Sequence, residues 1–391
     1  MSADLSRRKF LYVAGGVSGA TLAGVAGCTS GTDSSPDSAA ATPNADLQPL
    51  VDNQVVYGTS YVSPQVEHFG DVFIGAGSFI AGNTILRAAP DLRVDIGNKT
   101  NAQDNIVIRA LEGSLSIADE TSLAHHAIVR DSTLGNFVFV GFQTRVLNSR
   151  VGDGCLIQAG AQIIGVDLPA GSLVAPGQII DSQDIANALP RVDESAEEFQ
   201  REVLHVNAEF AKGYIELYEE EGYDAVLEIG PNPPTEFRPE LIDPQIGSNV
   251  ILGEFVRIVG DVRIARNSRV RQRSSIRADE GAPIVIGEGA DIGNRVTFHA
   301  LEGTDLHVGD FFTVDDDAVI HGPLQVGNRV TVGESSVVFR VIVGDDVVIG
   351  NAVILQGPGG EGLSLSIPAG TRIPDGSVVT DESTLRQATG V

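Results

Sequence analysis

Cysteine and basic residues are both scarce in this 391-residue chain. The two cysteines, Cys28 and Cys155, exclude a disulfide framework in any compartment. Lysine and arginine total 26 against 52 aspartates and glutamates, a formal net charge of -26. A field of that sign disfavours nucleic acid and anionic membrane surfaces, which excludes DNA and RNA as partners. Acidity alone is compatible with disorder, but 42% hydrophobic residues and 45 glycines in ordered patterns argue for a folded chain. The charge then reads as a solvated surface suited to high salt, where self-repulsion is screened. The length suffices for two domains, each with its own core.

No long membrane span opens the chain. An apolar stretch from Leu11 to about Ala26 follows Ser6-Arg7-Arg8-Lys9-Phe10, and it is short and weakly hydrophobic for a bilayer. The paired arginines resemble a twin-arginine export signal. Val25-Ala26-Gly27-Cys28 resembles a lipobox, which implies lipidation at Cys28 and an extracytoplasmic, membrane-anchored protein. The bland alternative is an incidental cysteine. Residues 1–28 are thus expected to be the signal, and the polar residues 29–49 a flexible tether.

What the rest of the sequence has is a period of six. Val308, Val314, Ile320, Val326, Val332 and Val338 fall at six-residue intervals, as do Ile264, Val270 and Ile276, then Ile286, Ile292 and Phe298. The first half repeats the pattern with Ile74, Ile80 and Leu86, then Ile117, Leu123 and Val129. Neither a helical period nor simple alternation has this spacing. A triangular coil does: each hexad forms one side and its aliphatic residue points inward, so stacked turns share a core. Glycine often follows the aliphatic residue, as in Val326-Gly327 and Val332-Gly333, where it is expected to permit corner conformations. The pattern resembles the hexapeptide-repeat family and implies a mainly β fold of two tandem left-handed parallel β-helices.

Between the coils, Glu197 through Glu221 reads as an amphipathic helix, with Phe199, Val203, Val206, Phe210 and Ile215 among charges. Gly230-Pro231-Asn232-Pro233-Pro234 reads as a linker. The expected organisation is a first β-helix with its helix over 50–229, a linker over 230–240 and a second β-helix over 241–391. The second coil needs a cover for its last turn, because a bare end exposes unpaired strand edges.

Histidines carry the chemistry. His299 follows Phe298 and His321 follows Ile320, each directly after an inward-pointing residue, so an insertion can bring them onto neighbouring turns. Two imidazoles alone do not make a zinc site, and buried or exposed structural histidines are the competing reading. His68, His205 and His307 have no comparable placement. The stretch Ser275 to Glu302, SIRADEGAPIVIGEGADIGNRVTFHALE, resembles the active-site region of gamma-class carbonic anhydrases. So do Val107 to Asp131, with Ser122-Leu123-Ala124-His125, and Leu204 to Tyr214, LHVNAEFAKGY.

That resemblance implies trimers with zinc at each interface, two histidines coming from one subunit and one from its neighbour. Carried onto this chain, His299 and His321 match the pair, while Asp316 stands where the neighbour's ligand belongs. In the first half His125 matches the neighbour's ligand, but Arg109 and Arg130 replace the pair. Arginine stays protonated and offers no acceptor, so it cannot be an ordinary zinc ligand. The second half keeps Arg277, Glu280 and Glu302; the first has Arg87 and Glu112, with Pro90 in place of the match to Glu280. The first half keeps Asn101, Gln103 and Asp104, where the second has Asp291, Gly293 and Asn294. Asn207 in the helix has no partner in the second half.

The complementary losses imply one site formed where unlike halves meet, with His125, His299 and His321 as metal ligands. The resemblance then implies reversible hydration of CO₂ to bicarbonate on Zn²⁺, with Fe²⁺ or Co²⁺ as alternatives. Gln103 and Glu280 are expected to orient the nucleophile and manage its proton, and Glu302 to pass that proton to solvent. Arg277 is expected in an ion pair across the faces with Asp104. A homo-oligomer with threefold-like packing of unlike domains is expected. Two other readings stay open: a noncatalytic structural or assembly protein, favoured by Arg109, Arg130 and Asp316, and an acyl-CoA-dependent acyltransferase on the same coil.

Overall fold

In the computed structural model, which describes residues 47–359 and 363–390, the hexads form two coils. Each is a left-handed parallel β-helix of three sheets, with seven, seven and eight strands in the first coil and eight, seven and seven in the second. The expected signal, Cys28 and most of the 29–49 tether lie outside the described residues. The tether's last residues, Gln48–Pro49, pair antiparallel with Phe73–Ile74 of the first coil.

The predicted inward residues all point inward. Ile74, Ile80, Leu86, Ile117, Leu123 and Val129 are buried in the first coil, and Val308 through Val338 in the second. They stack in register from turn to turn, Leu86 beside Ile108 and Ile108 beside Val129. Each such side chain is worth about 1.5–3 kcal/mol when fully buried, and a single turn could not bury it.

Glycine does a different job from the one expected. Gly327 and Gly333 lack the left-handed conformation; Arg329 (φ 56°) and Ser335 (φ 56°) adopt it instead. A Cβ on Gly327 would lie 2.7 Å from the Asp345 nitrogen, and one on Gly333 2.6 Å from the Gly350 carbonyl carbon. These glycines let one turn lie directly on the next. Part of the acidity is also structural. Asp345 accepts from the Asn328 N–H at 2.8 Å, Asn328 from the Asp310 N–H at 2.9 Å, and Asp310 from the Glu288 N–H at 2.8 Å. This side-chain ladder satisfies turn N–H groups that the strands leave open.

Helix α1 (Gln183–Asn187) closes the first coil by adding Ala186 to its core. Helix α2 (Glu194–Glu221) starts three residues before the expected Glu197, because Asp193 caps it through the Ala196 N–H at 2.9 Å. It runs along the outer face of the eight-stranded sheet, where Phe210 and Tyr214 pack on Phe79 and Tyr61. After α3 (Tyr223–Leu227), Ile229–Gly230 pairs with Ile258–Val259. The second coil therefore begins at the edge of the segment expected to be linker. Helix α4 (Glu382–Thr389) supplies the cover that the last turn needed, with Leu385 in the core.

Candidate metal centre between the coils

The register of the second coil decides where its histidines go. Strand Thr297–Ala300 lies beside Val319–Gly322 with His299 directly opposite His321. Alternation puts Phe298 and Ile320 into the core, so both imidazoles face outward. That outer face is buried all the same, because the first coil covers it. Phe142 and Ala159 pack on Val319, Val337, Phe339 and Ile354. Asn105 Nδ2 donates to Thr297 Oγ1 at 3.0 Å, and Arg295 donates to the Asn105 carbonyl at 3.1 Å. Unlike faces of one chain thus form the junction.

His125 enters from the first coil, at the turn after Ser122–Leu123. Its Nε2 lies 3.4 Å from His299 Nδ1, and one ring nitrogen from each of His125, His299 and His321 falls within 4.8 Å of the others. The other nitrogens of His299 and His321 find oxygen partners. His321 Nδ1 is 2.9 Å from the Gly322 carbonyl, and His299 Nε2 is 3.1 Å from Asp279 Oδ1. His125 Nδ1 lies 3.4 Å from Asp104 Oδ2 without hydrogen-bond alignment. The hydrogen bonds fix the tautomers of His299 and His321, so that their other nitrogens are free to meet His125. Burial pulls His125 down to about 4 against the opposing effect of Asp104. Burial and the other two histidines depress His321 well below the ordinary imidazole range. Three converging imidazoles fit zinc.

A buried network holds this arrangement. Arg277 donates to Asp104 Oδ2 at 2.9 Å, to Gln103 Oε1 at 2.7 Å, and to Asp279. Ser275 adds a 2.8 Å bond to Asp104, and Tyr214 a 2.6 Å bond to Asp279. Burial alone would raise both carboxyls; Arg277, joined by His125 and Ser275 at Asp104 and by His299 and Tyr214 at Asp279, outweighs it and holds both well below the usual carboxylate range. The expected Arg277–Asp104 ion pair across the faces is therefore present.

The cavity beside the histidines has a volume of about 60 Å³, several times what one water requires. Asn101, Gln103, Asn207 and Glu280 line it with Leu123, Phe139, Phe142, Phe199 and Val203. Gln103 donates to Asn207 Oδ1 at 2.5 Å, and Asn101 to Ser122 at 2.7 Å. Burial pushes Glu280 up to about 7, against the opposing effects of His299 and the Glu302 N–H.

Glu302 departs from its expected position. It does not line the cavity, because the strand ends at Ala300 and the following turn presents Leu301 instead. Its backbone N–H donates to Glu280 Oε1 at 2.8 Å, so it supports the carboxylate it was expected to relay from. Asp316, Arg109 and Arg130 also stay out of the cavity. Asp316 accepts from the Asn294 N–H at 2.7 Å, and the two arginines pair in register on another sheet.

Sequence reasoning missed Asp279, Tyr214, Phe142, Glu202 and His126. Asp279 follows Arg277 by two residues, the spacing that keeps side chains on one face of a strand. Buried His126 bonds Thr297 Oγ1 at 3.0 Å, and adjacency to His125 was its only signal. Nothing in the sequence marked Glu202 or Phe142.

No family model matches the chain. It is 30% identical over 185 residues to the carbonic anhydrase of Methanosarcina thermophila, covering 41% of this chain and 75% of that protein. The chain belongs to the gamma carbonic anhydrase family. It is also 33% identical over 190 residues to the carboxysome assembly protein CcmM of Nostoc sp., covering 46% of this chain and 34% of that one. Similarity to the mitochondrial gamma carbonic anhydrase 2 of Arabidopsis thaliana is 29% over 184 residues, 44% of this chain and 58% of that one. The chain thus spans about a third of the length of the Nostoc CcmM protein and three quarters of that of the methanogen protein. This gamma carbonic anhydrase family member carries two coils and brings three histidines together within a single chain.

Proposed function

We propose that the chain hydrates CO₂ reversibly to bicarbonate, using a metal held by His125, His299 and His321 between its unlike coils. The observation that carries this reading is the convergence of three imidazole nitrogens across the junction. Zinc held by these three histidines would make water acidic enough to act as a nucleophile near neutral pH; iron or cobalt would suit the same donors. Gln103, oriented by Arg277 and Asn207, positions the attacking water. Glu280 takes up and releases the proton near neutrality, the range its burial sets. Phe139, Phe142, Leu123 and Val203 offer an apolar wall to an apolar substrate.

The test is metal analysis of the purified chain together with CO₂ hydration kinetics. About one zinc per chain and measurable hydration are expected, and His125→Ala should lose both. Unchanged metal content and rate in that variant would sink the cross-coil site. A second reading, a noncatalytic assembly protein, is favoured by the similarity to CcmM. A folded wild-type chain that binds no metal and hydrates no CO₂ would select it.

Oligomerisation of the chain belongs to the same proposal, since sheet positions carrying Arg109 and Arg130 are left uncovered by the second coil. The site itself needs no second copy.

A further inference from the structure

We infer that Glu202 on helix α2 is the group through which the cavity exchanges its proton with solvent. The inference rests on the CO₂ hydration reading above. Each conversion of CO₂ and water to bicarbonate releases one proton, and an enclosed site must pass it out before the next turnover.

Among the described residues, two carboxylates line the cavity, Glu280 and Glu202. Glu280 is only 8% exposed and is tied to the Glu302 N–H at 2.8 Å, so it meets the reacting side and not bulk water. Glu202 is half-buried and meets both. Glu302, at the turn after Ala300, does not reach the cavity.

Helical spacing explains the position of Glu202. Phe199, Glu202, Val203, Val206 and Asn207 all line the cavity, and their three- and four-residue separations place them on one helix face. Asn207 accepts from Gln103 at 2.5 Å and donates to the Val203 carbonyl at 2.8 Å. Polar groups therefore run from the histidine side of the cavity to the helix turn that carries Glu202. In the proposed step, the Glu202 carboxylate accepts the proton delivered from the Glu280 side through cavity water. It then gives that proton to a buffer base, and no other bond changes.

The experiment uses the full chain loaded with zinc, comparing wild type with Glu202→Gln and Glu302→Gln. Steady-state hydration is followed at low and high imidazole concentration, and ¹⁸O exchange between CO₂ and water separates hydration from proton delivery. For Glu202→Gln in weak buffer, kcat is expected to fall by up to about a hundredfold. Imidazole should restore it, while kcat/KM, zinc content and the CO₂–bicarbonate exchange rate stay at wild-type values. Wild-type kcat in Glu202→Gln overturns the assignment, as does a loss of kcat and kcat/KM together without rescue. An imidazole-rescued loss in Glu302→Gln alone moves the exit to the turn after Ala300 and overturns it too. Failure of the hydration reading looks different: the zinc-loaded wild type itself catalyses no ¹⁸O exchange.

Discussion

A histidine offers either ring nitrogen to a metal, and its neighbours decide which. Here Asp279 and the Gly322 carbonyl occupy the outer nitrogens of His299 and His321, so the inner ones are aimed before any metal arrives. Asp279 is itself held by Arg277 and Tyr214. Asp279→Asn should therefore weaken zinc binding by about 10- to 100-fold, measured by competition with a chromogenic chelator. Equal affinity in the variant and the wild type would mean that the aspartate only fills space. At this scale single substitutions between the two repeats are legible in the sequence, and Glu302 is where that legibility ends. An arginine cannot stand in for an imidazole, and Arg109 and Arg130 already excluded a complete site in the first coil. At Glu302 a place in the sequence is not a place in the cavity.

Helix α2 is the element that converts a junction into a pocket. It buries Phe210 and Tyr214 against the first coil and presents Asn207, Val203 and Glu202 to the cavity. Its start depends on Asp193, whose carboxyl is held below the usual range first by the Ala196 N–H and then by Ser195. A lowered carboxyl contributes stability that is present above its unfolded value, near 3.8, and is lost as pH falls through the folded value. Asp193→Ala should cost about 1 kcal/mol at neutral pH, with the deficit shrinking below about pH 4 as the wild-type cap protonates. Denaturant melts at pH 7 and pH 3 measure it; a pH-independent deficit would assign the loss to packing instead. The helix was legible from its amphipathic pattern, but its role was not. Periodicity reports which face is apolar and says nothing about whether a second domain shares that face.

For the whole molecule, charge and architecture pull in opposite directions. A formal net charge of -26 repels itself within a chain whose two coils must stay together to form the site. Part of that acidity is committed to the turn ladder, but exposed carboxylates remain, and salt screens them. Raising NaCl from about 0.1 to 2 M should raise the melting temperature; the Debye length falls from about 10 Å to below 3 Å over that range. A flat or falling melting temperature would show that the acidic surface is not a load on this fold.

The hexad period by itself determined the coil, its inward residues and the duplication, because a six-residue repeat of aliphatics has one way to bury them. The opposed losses in the two halves also determined that a complete histidine set needs both coils. Only the tertiary structure decided that the three histidines meet within one chain: the covering of His299 and His321 by the turn that carries His125 is a contact between segments some 174 residues apart. It likewise decided that Glu202, and not Glu302, lines the cavity beside Glu280. Such placements depend on how a helix and a turn approach a sheet face, and no local periodicity encodes that approach.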